Sequence, residues 1–245
     1  MVLSLPSYIM PGTYLENVLF LSEAFPAVKN VELLFFYYDS DTRRLFDSER
    51  QGLESMKNRF GYTLHLPDTL LPEHREFVAA VQHAVRHFIV HPPRDDSSPS
   101  LESFLPEWIS RFGRKFLLEN TVLPRFKACR ARLPEMPVCV DVGHLLLEGV
   151  SPARFLRKEW DEVREIHLHG VKNGKDHTGF DADEPWFREL VPLLGDFDGV
   201  INLEVFSAAE ANRIIQALSS VGLVSGETEN PGGTATERRG YEKSM

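Results

Sequence analysis

The chain has 245 residues, 42% apolar and 26% charged, which suits a globular protein with one large domain or two small ones. Its net charge of −9 weighs against a grip on duplex DNA through the phosphates, and its two cysteines, Cys129 and Cys139, give neither a disulfide framework nor a thiolate metal site. No apolar run reaches the length of about 18 residues that a membrane span needs, and MVLSLPSYIMPG lacks the basic start of a secretion signal, so the expected location is the cytoplasm.

Short apolar runs alternate with segments of helical period. VLSL (2–5) comes first, then a segment after Thr13 in which Leu15, Val18, Leu19 and Ser22 share a face. VELLFF (31–36) precedes Leu53, Met56 and Phe60 at helical spacing, and YTLHL (62–66) precedes Phe77, Ala80, Val81 and Ala84. FIV (88–90) is the weakest strand, bracketed by His87 and Pro92; KFLLE (115–119) and VCVD (138–141) follow. Ser151 and Pro152 read as an N-cap with proline at the first helical position. EIHLH (165–169), VINLEV (200–205) and a last helical stripe of Ala211, Ile214, Ile215 and Leu218 complete the pattern. The runs lack strict alternation, as parallel strands do. Eight strands, each with a following helix, predict a (β/α)8 barrel in one domain over residues 1–224. The alternative, a doubly wound open sheet, needs a glycine-rich first turn that SLPSYIMPG is not. Residues 225–245 have almost no apolar side chains and read as a disordered tail.

VCVDVGHLLL poses the functional question, because a carboxylate at the tip of a buried strand is costly without a partner. In such barrels the active site lies at the C-terminal strand ends. There the sequence puts His65, His91, Glu119 with Asn120, Asp141 with His144 beyond it, His167 and His169, and Glu204 on six successive strands, with Asp176 and His177 in the seventh loop. Singly, each could be a hydrogen-bonded core histidine or a helix cap. Together at one end they predict a metal site. His74 and His83 fall in the helix after the third strand and His87 at the bottom of the fourth, and a surface role is expected for His83 and His87.

Glu119, Asp141, His167 and Glu204 resemble the metal set of xylose-isomerase-like barrels. Adding the D-x-x-H of Asp141 and His144, with His65, His91 and His177, the pattern resembles the branch that contains the endonuclease IV type of AP endonucleases. PSYIMP, NVLFL, VELLFF, TLHLP, FIVH, CVDVGHLLLEG, IHLHGV, KDH and FDGVINLEVFS, over about residues 5–207, are similar to the cobamide-remodelling phosphodiesterases. The resemblance implies two or three divalent metals and hydrolysis of the phosphodiester in the nucleotide loop of B12-type cofactors, releasing cobinamide phosphate and the lower-ligand riboside. It implies metal ligation by His65, His91, Glu119, Asp141, His144, His167, Asp176, His177 and Glu204, with Glu119 or Asp141 bridging and Glu204 ligating or orienting water. His169, Lys172, Lys175, Ser7 and Tyr8 are implied on the substrate side. Imidazole with carboxylate suits zinc, manganese, iron(II) or cobalt(II).

The chain departs from the pattern in two places. Tyr37 and Tyr38 stand where relatives often have an acid, and Asp176 and His177 are adjacent rather than one residue apart, which leaves Asp176 open as a ligand. A one-metal sugar isomerase or epimerase, an abasic-DNA nuclease and a non-enzymatic binding barrel are the other functions weighed. The expected partner is a small-molecule cobamide, not nucleic acid or membrane; the oligomeric state is left open.

Overall fold

The computed structural model describes residues 1–95 and 98–225; the segment 226–245, where a disordered tail is expected, lies outside the described residues. Eight parallel strands close into a barrel in the order β1-β10-β7-β6-β5-β4-β3-β2. They are β1 (Val2–Pro6), β2 (Asn30–Leu34), β3 (Gly61–His65), β4 (Phe88–Val90), β5 (Phe116–Glu119), β6 (Val138–Asp141), β7 (Val163–His167) and β10 (Val200–Asn202). The helices α1 (Tyr14–Ala24), α2 (Ser40–Ser55), α3 (Arg75–Val81), α4 (Leu105–Phe112), α5 (Leu123–Arg132), α6 (Val142–Leu147), α7 (Pro152–Glu159), α8 (Pro185–Asp196) and α9 (Ala208–Ser220) alternate with them. An antiparallel hairpin, β8 (Gly170–Lys172) and β9 (Lys175–Thr178), follows β7. The expected barrel is the observed one. Among the described residues no helix is long and apolar enough to cross a membrane.

Period two explains the two faces of the strands. Leu3, Leu5, Val31, Leu33, Leu64, Phe88, Phe116, Val138, Val140 and Ile201 belong to one large apolar core with the helices. The intervening residues point inward. Ile89, Leu117 and Cys139, from β4 to β6, form a small separate apolar cluster. The rest of the interior is polar: Ser4, Asn30, Glu32, Thr63, Glu165 and Asn202 are buried. Asn30 donates to the hydroxyls of Ser4 (3.0 Å) and Thr63 (3.2 Å), and Asn202 donates to Glu32. The runs lacked visible alternation in the sequence because both faces are buried, and only side-chain polarity separates them.

Several strands end earlier than expected. β7 stops at His167 rather than residue 169, and β10 at Asn202 rather than residue 205. Leu168, Leu203 and Val205 continue the apolar pattern because they stay buried after the ladder hydrogen bonds stop. Ser151 caps α7 by accepting from the Arg154 amide, as its position before Pro152 predicts. Leu19, expected on the buried face of α1, is 45% exposed.

The histidines away from the mouth differ in their surroundings, and one of the two expected on the surface, His87, is drawn inward. His74 is buried beside α3, where Nδ1 accepts from the Leu71 amide at 3.2 Å and the ring lies edge-on to Tyr38. His87 reaches into the barrel floor, 3.1 Å from Glu165 Oε2. The carboxylate that draws it in is a mid-strand acid, invisible to an argument from strand ends. His83 is exposed as expected.

Candidate metal centre

The tip of β5 places Glu119 at the middle of the mouth. Its Oε2 lies 3.5 Å from His65 Nε2 and 3.2 Å from His91 Nε2, and the two imidazole nitrogens are 3.0 Å apart. Donors around a tetrahedral cation with bonds of about 2.1 Å stand about 3.4 Å from one another. The tautomers follow from the far side of each ring. His65 Nδ1 donates to the Leu66 carbonyl at 2.9 Å, and His91 Nδ1 faces Asp68 Oδ1 at 3.3 Å. Both Nε2 atoms are then aimed at each other and at a carboxylate. Such an arrangement repels itself unless a proton or a cation sits between. Asp68, itself tied to Arg94, is the outer carboxylate that sets the His91 ring.

A second donor set shares Glu119. His167 Nδ1 is 2.9 Å from Glu204 Oε2, 3.8 Å from Glu119 Oε2 and 3.9 Å from Asp141 Oδ2. His167 Nδ1, Glu119 Oε2 and Glu204 Oε2 are buried without a hydrogen-bond partner. On its other side, His167 Nε2 faces Glu32 Oε2 at 3.2 Å, a second outer carboxylate. Asp141 is fixed three ways. Asn120 bonds its backbone in both directions, at 2.9 Å and 2.8 Å. Its Oδ1 caps α6 by accepting from the His144 amide at 2.7 Å, and its Oδ2 faces His169 Nε2 at 3.0 Å. His169 Nδ1 accepts from the His177 amide at 2.9 Å, so its Nε2 carries the proton given to Asp141. His169 is thus fully buried among the carboxylates, where substrate contact was expected.

The hairpin supplies a third set. Lys172-Asn173-Gly174-Lys175 forms its turn, with Asn173 and Gly174 left-handed at φ 55° and 74°, as a two-residue hairpin turn requires. It lowers Asp176 and His177 towards His144: Asp176 Oδ2 is 3.7 Å from His144 Nε2 and 3.9 Å from His177 Nε2. His177 Nδ1 donates to the Glu204 carbonyl at 3.0 Å, leaving Nε2 bare. Asp176 therefore joins the donors, although its spacing from His177 departs from the endonuclease pattern.

Electrostatics bind the sets together. Burial opposes ionisation of Glu119, but the nearby His91 and His167 rings, with His65 beside them, outweigh it and hold the carboxyl well below its usual range. Burial likewise opposes the charge on Glu204, and His167 overcomes it. Burial disfavours a charged His91, yet Glu119 and Asp68 push its pKa up to about 10. Among the described residues no lysine or arginine pairs with Glu119, Asp141 or Glu204, whose nitrogen partners are all imidazoles. Orphaned buried donors, outer carboxylates and a nitrogen–oxygen donor set make the centre fit divalent cations.

The other residues expected on the substrate side stand outside the donor sets. Lys172 and Lys175 are exposed on the hairpin, and the charge of Lys172 is felt by Asp181. Ser7 is buried, its Oγ accepting from the Leu34 amide at 3.0 Å, which ties β1 to β2. Tyr8 stands exposed on the rim. Sequence reasoning missed Glu32, Asp68, Glu165 and Gly143. A Cβ on Gly143 would fall 1.9 Å from His169 Cε1, so only glycine lets that ring reach Asp141. The glycine between Asp141 and His144 was the available signal.

No family model matches the sequence, and no curated protein does either. The fold does match solved structures. The probable 3-DHS dehydratase AsbF of Bacillus anthracis superposes with a TM-score of 0.64 at 13% identity, covering 90% of this chain and 98% of that one. The 3-keto-D-glucoside 4-epimerase YcjR of E. coli gives 0.61 at 14% identity, covering 90% and 98%. A sugar phosphate isomerase/epimerase of Parabacteroides distasonis gives 0.53 at 11% identity, covering 90% and 93%. The chain shares the closed (β/α)8-barrel fold of these enzymes. At these identities the likeness speaks of architecture alone.

Proposed function

We propose that the chain is an enzyme that holds two or three divalent cations and hydrolyses a phosphodiester in a small molecule, the nucleotide loop of a B12-type cofactor. One observation carries the proposal: Glu119 is flanked on one side by the Nε2 nitrogens of His65 and His91 and on the other by Asp141, His167 and Glu204. One carboxylate between two donor sets suits a pair of cations about 3.5–4 Å apart. His65, His91 and Glu119 would hold the first, Glu119, Asp141, His167 and Glu204 the second, and His144, Asp176 and His177 a third. Bound there, the cations would supply Lewis acidity, activating water and neutralising charge on the non-bridging phosphate oxygens.

The protein's part is positioning. Asp68 and Glu32 orient His91 and His167, and Asn120 and His169 hold Asp141 in place. Glu204 is kept ionised by His167, which suits a ligand better than a proton acceptor. The choice of a cobamide rests on the sequence resemblance. A cytoplasmic location is part of the proposal, since Cys129 and Cys139 are free, buried thiols.

The names of the structural neighbours support a second reading, a sugar isomerase or epimerase. It would need one cation at Glu119, Asp141, His167 and Glu204, and would leave His65 and His91 without a task. The test is to load the protein with zinc, manganese or cobalt, count bound metal by mass spectrometry, and offer adenosylcobalamin, a ketose panel and abasic-site DNA in parallel. Two or more metals per chain with cobinamide phosphate as product is the expected result. One metal with turnover of a ketose alone would replace the proposal by the second reading.

A further inference from the structure

The mouth of the barrel is divided. Strands β3 to β7 and β10 bring donors to their ends, whereas β1 and β2, adjacent between β10 and β3, end in Ser7 and Leu34, which bond to each other. The loops after β10, β1 and β2 carry aromatic rings instead: Phe206, Tyr8, and Phe36 with Tyr37. Three of these rings are in contact. Tyr8 and Phe206 meet edge-on with centroids 6.3 Å apart, and Phe206 and Phe36 do so at 6.4 Å. Two rings of this arc touch the metal centre, Phe36 edge-on to His65 at 5.7 Å and Phe206 against His177 at 4.7 Å. Tyr8 is 53% exposed and Tyr37 74%, and among the described residues these are the two aromatic side chains most open to water. The sector carries no cation. SYIMPGT after β1 is uncharged, and FFYYD after β2 has only Asp39, which caps α2.

We propose that this arc is the seat of a planar heteroaromatic ring, the base of a nucleoside-type group whose sugar joins it to the phosphate at the metal centre. The inference rests on the phosphodiesterase reading and names the part of the substrate that does not react. A neutral sector of rings beside a cation-binding sector fits a ligand with a flat, uncharged end and an anionic end. Stacking accepts any ring with a π face, so the arc selects for an aromatic base over none and discriminates weakly among bases. In a B12-type cofactor that ring is the lower-ligand base.

The test is a calorimetric titration of the full, zinc-loaded chain with a benzimidazole riboside and, as the ring-free probe, methyl riboside. The native protein should bind the benzimidazole riboside at least about tenfold more tightly, given the usual gain from one stacked base. Tyr8→Leu and Phe206→Leu keep apolar bulk without a ring; each should remove about tenfold of that affinity and leave methyl riboside unaffected. Tyr8→Leu alters an exposed side chain, and a thermal melt controls for the half-buried Phe206. Equal binding of both ribosides, or leucine variants that bind as the native protein does, would overturn the inference. Ketose turnover together with ring-dependent binding would sink the phosphodiesterase reading and leave the subsite standing. Phosphodiester cleavage with ring-independent binding would do the reverse.

Discussion

Replacing Glu119 by glutamine takes one charge from two donor sets at once. Glu119→Gln should therefore lose more than one metal per chain and at least about a hundredfold in kcat, the scale expected when a transition-state charge loses its support. Asp176→Asn, confined to the hairpin set, should lose at most one metal; equal losses in the two variants would show that Glu119 is not shared. Gly143→Ala should drive the His169 ring off Asp141 and cut activity about as deeply, although the substitution adds one methyl group. A titration prediction belongs to His74, whose ring meets Leu71 and Tyr38. Burial pushes its imidazole below the ordinary 6.5, against a smaller opposing pull from Glu73. The unfolded chain then binds the extra proton first, so His74 contributes stability above about pH 6.5 and loses it as pH falls towards the folded value. In His74→Asn the side-chain carbonyl can still accept from the Leu71 amide. Its urea midpoint should fall less between pH 7.5 and 5 than that of the native protein. The donors at strand tips were legible in the sequence because position on a strand, once known, says which end a residue occupies. Glu32 and Glu165 were not, because an acid inside an apolar run looks the same whether it faces a solvated surface or a sealed interior.

Elements were legible where local chemistry and tertiary packing agree. Ser151 followed by Pro152 starts a helix on both grounds, and Ser151→Ala should cost about 1 kcal/mol, read as a shift in the denaturation midpoint. The hairpin after β7 was read only as a loop, although Asn173-Gly174 is a strong turn signal. Its strands are too short and too polar to show a period. Gly174→Val would place a branched residue at φ 74°, at a local cost of about 1–2 kcal/mol. The cost should appear as weaker retention of one metal in dialysis, with the melting temperature almost unmoved. A large drop in melting temperature would mean that the hairpin is part of the core rather than an attachment to it.

At the scale of the whole molecule, the barrel carries a strongly polar interior beneath its candidate metal centre, balanced by the apolar shell between strands and helices. The shell was legible, because apolar runs and helical stripes report it directly. The interior was not, since cross-barrel pairs such as Glu32 with His167 join residues remote in the sequence. Cations that bind only the folded state should stabilise it by about 4 kcal/mol at a thousand times their dissociation constant. For a domain of this size that is a rise in melting temperature of about 10 °C. Chelation should reverse the rise, and Glu119→Gln should show little of it.

The hairpin is held to the barrel through side chains, His177 to His169 and to the Glu204 carbonyl, with the Gly179 amide to Glu210 and Asp181 to Arg213 just beyond it, and none of the eight closing strands pairs with it. Its donors can thus be gained or lost by exchanging one short insertion. A lineage could pass between simpler and richer metal chemistry on this scaffold without rebuilding a single barrel strand.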